Sequence, residues 1–461
     1  MPIDKPLLLS RNTLIHIIGI CGLGMSAIAK LLLYQGYRVQ GSDQLPSDNI
    51  DHQKFKIFTV HSPNNIRNAD LIIKSTAILD NNVELLAAKD SNIPIFTRKE
   101  ILAELVKHKQ TIAISGTHGK TTTTSMLGTI LDSADYDPTI ISGGIMNLYN
   151  DNIRVGKGNW NIVEADESDG TFLALQKSIA IVTNTDIDHL DYYKSYYNLI
   201  NHFQEFISEV PFNGCSIVCQ DQADKRLLEN KRVITYGINN KKVDLQLSNI
   251  RQKGMQVMFD VTTSTKLESR DISNVIINSP GIHNIYNAGA AICAAIKLGI
   301  TTPQIIEGLR KFQGVQKRFS FVGKFKKMAD VILDYAHHPT AIIAAINTAK
   351  MICRRPNKVI TIIQPHRYSR LRELFSSYVN IADHCDHIIL LNVCSAGEKK
   401  TDNYDSEKLY QEMKKKSEKY IEYLSNFNDL PTVIGKITVK NDTLLIVSAG
   451  QCHFVRKLTD Y

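Results

Sequence analysis

The chain has 461 residues, of which 43% are hydrophobic and 22% charged, with a formal net charge of +8. That length predicts roughly three domains, and the composition excludes a disordered chain. No apolar run reaches the ~18 residues of a spanning helix, and no basic stripe interleaved with aromatics marks a nucleic-acid binder, so neither membrane nor nucleic acid is expected as a partner.

The spread-out positive charge suits anionic ligands such as nucleotides. Residues 1–12 lack the apolar core and cleavage site of a signal peptide. The eight cysteines, at 21, 215, 219, 293, 353, 385, 394 and 452, form no C-x-x-C pair. Buried free thiols in a cytoplasmic protein are the expectation.

From Leu14 short apolar strands alternate with amphipathic helices, the pattern of parallel α/β architecture. Strands are predicted at 14–18, 38–41, 70–74 and 93–96, with a helix over 25–35 and another after Arg98. The polar stretch 107–110 marks a boundary, so residues 1–110 form the first domain. The second, 111–313, opens with a strand at 111–115. It continues with strands ending near Glu164 and Thr183, a helix over 196–208, antiparallel strands within 233–278, and helices at 286–298 and 303–312. The third, 314–461, is predicted to hold strands at 331–334, 359–363, 387–392 and 443–447.

The first strand feeds Gly19-Ile20-Cys21-Gly22-Leu23-Gly24, a G-x-x-G-x-G turn before a helix, and Asp43 ends the next strand. A glycine turn at a helix N-terminus holds a pyrophosphate. The spacing departs from the dinucleotide fingerprint, so NAD, the diphosphate of another nucleotide and a purely structural turn all remain open. The second turn is more specific. Gly116-Thr117-His118-Gly119-Lys120-Thr121-Thr122 joins a strand to a helix and is a phosphate cradle: Lys120 reaches the outer phosphates and the Thr121 hydroxyl takes Mg²⁺. Its short G-x-x-G-K-T form points to amide-forming ligases.

Glu164 stands at the carboxyl end of its strand, where ligands of an open α/β sheet gather, and is the best-placed oxygen for Mg²⁺. Asp166 and Asp169 read more simply as a solvated turn. His189, in Thr183-Asn184-Thr185-Asp186-Ile187-Asp188-His189, either binds or orients a second cation or is structural. Asn284 and Asn287, at the start of a helix, either cap it or read an adenine edge. Arg367 and Arg370 either make bidentate carboxylate or phosphate contacts or are ordinary surface arginines. His337 and His338 either orient a substrate or pack beneath it.

The segments GICGLGMSAIA, GSD, STAI, GTHGKTTTT, EADESD, TNTDIDHLDYY, GIHNIYNAGAA, QKRF, DYAHHPT and QPHRYSR, in this order, resemble the Mur ligase family across essentially the whole chain. The resemblance implies three α/β domains: an N-terminal Rossmann-like domain for a UDP-sugar, a central P-loop-type ATPase with an antiparallel β portion, and a C-terminal Rossmann-like domain that closes over ATP and substrate. It implies joining of L-alanine to the carboxylate of UDP-N-acetylmuramate through an acyl phosphate, with ATP and two Mg²⁺ ions. Lys120 then holds the β/γ-phosphates, Thr121 and Glu164 bind the first Mg²⁺, and Glu164 and His189 serve a second. Gly116 to Thr122, Asn284, Asn287, Arg318 and Asp334 fall at ATP positions. Gly19, Gly22, Gly24, Met25, Ser26, Asp43, Ser75 and Thr76 fall at UDP-sugar positions. His338, Arg367 and Arg370 join Lys120, Glu164 and His189 as catalytic candidates.

Two features depart from the family pattern. Cys21 stands where a glycine is usual, which alters the first turn if that position needs φ > 0. No lysine just after His189 matches the carbamylated lysine of later Mur ligases, Lys194 being poorly placed. A monomer or weak homodimer is expected. The alternatives are a recycling ligase that adds a murein tripeptide to the same UDP-sugar, an NAD-dependent dehydrogenase, and a nucleotide-switch binding protein without chemistry.

Overall fold

The structure is a computed structural model that describes residues 10, 12–45, 47, 49–400, 403–450 and 453–459. Cys452 and residues 1–9 and 11 of the N-terminal stretch lie outside the described residues. The described chain divides into two compact units, one of residues 1–248, 260–275 and 286–313, the other of 249–259, 276–285 and 314–461. Three sheets run through it.

The first is a parallel sheet in the order β3-β2-β1-β4-β5, from strands β1 (Leu14–Ile18), β2 (Arg38–Ser42), β3 (Lys56–Phe58), β4 (Leu71–Lys74) and β5 (Ile95–Thr97). Helices α1 (Leu23–Tyr34), α2 (Val83–Asp90) and α3 (Arg98–Val106) cover it. The strand period of two divides β1 between two cores. Ile15 and Ile17 pack with Leu31 of α1 and Leu102 of α3, whereas Ile18 packs with Leu85 and Ala88 of α2. Such helix layers on both faces suit a parallel sheet.

The second sheet has ten strands in the order β15-β14-β13-β12-β11-β10-β6-β9-β7-β8. These are β6 (Gln110–Ser115), β7 (Thr139–Met146), β8 (Asp151–Arg154), β9 (Trp160–Glu164), β10 (Ile179–Val182), β11 (Cys215–Cys219), β12 (Val233–Gly237), β13 (Leu245–Lys253), β14 (Gln256–Thr263) and β15 (Asp271–Ile277). Its helices are α4 (Lys120–Ser133), α5 (Thr171–Ala174), α6 (Leu190–Tyr193), α7 (Tyr196–Ser208), α8 (Ile282–Lys297) and α9 (Thr302–Lys311). The expectation of antiparallel strands over 233–278 fails at β12, which pairs in parallel with β11 and with the start of β13. Side chains bridge the short connection between them. Asp244 accepts from the Thr235 backbone N–H at 2.9 Å, and the Gln246 amide donates to the Ile238 carbonyl at 2.7 Å. Between β13 and β14 only two residues remain, a connection that antiparallel strands alone permit.

The third sheet, in the order β16-β17-β21-β18-β19-β20, contains β16 (Ser320–Phe325), β17 (Ala329–Asp334), β18 (Val359–Ile363), β19 (His387–Leu391), β20 (Tyr420–Leu424) and β21 (Thr443–Val447). All pairs are parallel except β16 with β17. The edge strands β16 and β20 were not legible in the sequence. Helices α10 (Pro339–Ile352), α11 (Tyr368–Glu373), α12 (Phe375–Asn380), α13 (Ser406–Lys416), α14 (Leu430–Ile437) and α15 (His453–Thr459) complete it. Among the described residues all seven cysteines are free; five are buried as expected, whereas Cys353 and Cys394 are only half-buried, and burial pushes the Cys215 and Cys219 thiols up to about 11 and about 12. No described helix is long and apolar enough to cross a membrane.

Candidate active site

The turn between β6 and α4 needs its glycines. Gly116 and Gly119 have φ of +126° and +84°. A Cβ would stand 2.3 Å from Thr183 Oγ1 at the first and 2.3 Å from Asn287 Oδ1 at the second. The segment after β10 braces the turn. Asn184 Oδ1 accepts from the His118 N–H at 2.9 Å, its Nδ2 donates to the His118 carbonyl at 2.9 Å, and Thr117 Oγ1 donates to the Asp186 carbonyl at 3.0 Å. The His118 ring lies 3.1 Å from Asp186. Gly119 offers α4 no side-chain cap, so its first N–H groups point out of the helix end as an anion site. Thr122 is buried just inside.

Lys120 is held at three oxygens. Its ammonium donates to the Gly116 carbonyl at 2.8 Å and to both oxygens of Glu167, each at 2.8 Å. Glu167 is 1% exposed, and nothing in the local sequence marks it for burial. Burial pulls the Lys120 ammonium down, but the carboxylates of Glu167, Asp166 and Glu164 outweigh it and hold the group above the usual lysine range. Burial pushes the Glu167 carboxyl up, against the pull of Lys120.

Glu164, at the end of β9, accepts from Thr121 Oγ1 at 3.0 Å and from the Gly143 N–H at 2.6 Å. The two candidate metal ligands therefore share one spot beside the open helix end. Two hard oxygens there fit Mg²⁺. His189 brings Nε2 to 3.6 Å from Glu167 and 3.7 Å from Asp188. Asp166 and Asp169 are not a merely solvated turn, because both face the Arg98 guanidinium.

The first turn is built differently. The N–H groups of Gly19 and Ile20 donate to the Ser42 carbonyl at 2.8 and 3.2 Å, and that of Cys21 to Asp43 Oδ2 at 2.9 Å. Asp43, expected near a ribose, here clamps the turn. Within the turn only Gly19 has a positive φ, +83°, so Cys21 imposes no left-handed strain. Ser75 packs on Gly19, where a Cβ would meet its Cβ at 2.9 Å, and Thr76 is exposed. Met25 and Ser26 are buried, and the Ser26 hydroxyl donates to the Leu23 carbonyl. Behind the turn a buried Glu84 accepts from Ser42 and Asn65 and meets His16 at 3.4 Å and His61 at 3.2 Å. Burial would raise its carboxyl, but bonds from His16, Ser42 and Asn65 bring it down to about 2.

Asn287 is buried against the second turn and accepts from Thr123 Oγ1 at 3.3 Å. Asn284 donates to Ser279 Oγ at 2.9 Å and to the Pro280 carbonyl at 2.7 Å, tying down the chain before α8. In the second unit Asp334 accepts from the Phe319 N–H at 2.8 Å and the Ala336 N–H at 2.6 Å, and the Arg318 guanidinium lies 5.2 Å over the Tyr335 ring. His338 caps α10 by accepting from the Thr340 N–H at 3.3 Å. His337 meets the Tyr335 carbonyl at 2.9 Å. Arg367, at φ +68°, opens α11, and Arg370 is buried one turn on. Burial and then these two arginines push His366 down to about 4.

Three family models match in chain order: "Mur ligase family, catalytic domain" over residues 14–110, "Mur ligase middle domain" over 114–295 and "Mur ligase, glutamate ligase domain" over 317–450. Curated relatives agree. The UDP-N-acetylmuramate–L-alanine ligase of Agrobacterium fabrum is 41% identical, covering 95% of this chain and 94% of its own. That of Sinorhizobium medicae is 40% identical, covering 96% and 95%. The chain belongs to the Mur ligase family. Among solved structures this Mur ligase is similar to the UDP-N-acetylmuramate-alanine ligase of Thermotoga maritima, with a TM-score of 0.81 at 27% identity over 97% of this chain and 98% of that one. It also shares its fold with a murein peptide ligase of Psychrobacter arcticus, with a TM-score of 0.70 at 22% identity over 98% and 99%. Mur ligases are ATP-dependent, and this chain has the three-domain α/β fold of the family.

Proposed function

We propose that this chain uses ATP to join L-alanine to the carboxylate of UDP-N-acetylmuramate, a step of peptidoglycan precursor synthesis. The observation that carries the reading is identity of about 40% over 95% of the chain with ligases of that name, against 22% for the murein peptide ligase. Residues 1–110 take the UDP-sugar, 111–313 take ATP, and 314–461 close over both. The protein works in the cytoplasm as a monomer or weak homodimer, without nucleic acid or membrane.

The muramyl carboxylate attacks the γ-phosphoryl group of ATP, giving an acyl phosphate and ADP. The alanine amine attacks the acyl carbon, and the tetrahedral intermediate expels phosphate to leave the amide. The Gly116–Thr122 turn wraps the phosphates with backbone N–H groups, and Lys120 offsets charge on the transferred phosphoryl oxygens. Glu167 fixes Lys120 in place. Thr121 and Glu164 would hold one Mg²⁺, and Glu164 and His189 a second. Such ions would supply positive charge against the crowded phosphate and carboxylate oxygens. Asn284, Asn287, Arg318 and Asp334 hold the nucleoside. Gly19, Gly22, Gly24, Met25, Ser26, Asp43, Ser75 and Thr76 surround the UDP-sugar, while His338, Arg367 and Arg370 orient alanine and the acyl phosphate.

The test is ADP release with UDP-N-acetylmuramate and, in turn, L-alanine, glycine, L-serine or a murein tripeptide, without nicotinamide. Fastest release with L-alanine is expected. Release with the tripeptide alone would make the protein a recycling ligase. Micromolar NAD(H) binding without UDP-N-acetylmuramate binding would sink the ligase reading altogether.

A further inference from the structure

The Arg98 guanidinium lies between the first glycine turn and the aspartates that follow β9. A capping box fixes it there. Thr97 accepts from the Glu100 N–H at 3.3 Å, and Glu100 reaches back to the Thr97 N–H at 2.7 Å, so α3 starts with Arg98 at the carboxyl edge of β5. On one side the guanidinium presses on the first turn of α1. A Cβ on Gly24 would stand 2.7 Å from its Nε, 3.1 Å from Cζ and 3.2 Å from Nη2. On the other side Nη1 is 3.7 Å from Asp169 and 4.0 Å from Asp166. Those separations are ion-pair contacts, longer than charge-assisted hydrogen bonds. Its Nε is buried and has no hydrogen-bond partner among the described residues.

The electrostatics of this placement are unusual. Helix N-termini carry partial positive charge and favour acids in the first turn. Arg98 opens its own helix and also adjoins the first turn of α1, which Gly22 leaves without a side-chain cap. Three positive contributions meet there, and the two aspartates offset them from one side only. A guanidinium edge beside open N–H groups is the arrangement that binds an oxyanion bidentately.

We propose that Arg98 is a binding residue for an oxyanion of the sugar nucleotide, either its diphosphate or the carboxylate that is activated, and that Gly24 lacks a side chain to let it lie there. This deepens the UDP-sugar reading of the first turn and rests on it.

Calorimetric titration of UDP-N-acetylmuramate and of UDP into wild type, Arg98→Ala, Arg98→Gln, Arg98→Lys and Gly24→Ala tests it. A hydrogen bond to a charged group contributes about 1.5–3 kcal/mol, so neutral replacements should weaken UDP-N-acetylmuramate about ten- to hundredfold. Arg98→Lys should fall between these and wild type, and Gly24→Ala should weaken binding by displacing the guanidinium. ATP affinity should stay unchanged throughout. Equal loss for UDP assigns the diphosphate, whereas UDP binding unchanged assigns the carboxylate. Affinities for both ligands within twofold of wild type in the folded Arg98→Gln protein would overturn the proposal. Absence of UDP-N-acetylmuramate binding to wild type would instead overturn the reading beneath it.

Discussion

The two glycine turns share a strand–turn–helix frame and differ in what surrounds it. At the second turn a cation opens the helix, and Lys120 is gripped by a buried Glu167 beside the Thr121–Glu164 pair. The first turn has no cation within its own segment, only Arg98 of α3 lying against it. Its leading N–H groups are already spent on Ser42 and Asp43, and the buried Glu84 network sits behind them. Under the proposed function, the difference matches what each turn is asked to do. Only interactions that strengthen in the transition state speed chemistry, so a turn facing a phosphoryl group in transfer gains from a positioned charge. Under the same reading, a turn that holds an unchanging diphosphate is served by fixed dipoles and by a cation from outside the turn, Arg98 of α3.

Substitutions at the two turns should therefore fail in different ways. The largest effect is expected from Glu164→Ala, which removes an oxygen common to both proposed ions. Turnover should fall by more than about a thousandfold and stay low at any Mg²⁺ concentration. His189→Ala serves as its control, since part of its activity should return as Mg²⁺ is raised. Rate against Mg²⁺ measures both, and a fully active His189 variant at ordinary Mg²⁺ would make that histidine structural.

Lys120→Ala should cost about 3–4 kcal/mol of transition-state stabilisation, several hundredfold in kcat, while UDP-N-acetylmuramate binds as before. Near-normal turnover would erase the contrast between the turns. Gly22→Val comes next. Gly22 has φ −62°, and a Cβ there would meet nothing in the protein closer than 3.6 Å, so the variant should fold normally. Its KM for UDP-N-acetylmuramate should rise about tenfold or more through a clash with the ligand, with the KM for ATP unchanged. A shift in the ATP value instead would exchange the roles of the two turns.

The smallest effect concerns pH. The folded Glu167 carboxyl titrates above its unfolded value, so the native state binds the proton more tightly. Its contribution to stability is present below the ordinary glutamate range and is lost as pH rises through the raised value. Glu167→Gln should flatten the fall in melting temperature across that window. An unchanged slope would mean that Glu167 stays ionised beside Lys120 throughout that window.

Much of this contrast was legible in the sequence. Runs such as Leu14–Ile18 and Val359–Ile363 are apolar enough to fix buried parallel strands to the residue, and each turn follows one. Glu164 was legible because the end of a strand is a defined place. Glu167 was not, because one acid among Glu164, Asp166, Glu167 and Asp169 has no local mark of burial. Its enclosure comes from the chain folding back, with the Tyr193 hydroxyl donating to its carbonyl. Arg98 did carry a signal, a basic residue in a helical first turn just after a capping threonine, where acids are favoured. Asp43 had the right position for a ligand contact, but its bond to Cys21 depends on a turn geometry that spacing alone does not specify.

His189 and Lys194 bracket the single turn of α6, both in the left-handed region, at φ +58° and +65°. A non-glycine residue there costs about 1–2 kcal/mol, so the native sequence at His189 is not the most heat-resistant one available. Variants selected for survival at high temperature alone should accumulate glycine or asparagine at 189, and, on the metal role proposed for His189, the cultures that carry them should build cell wall more slowly.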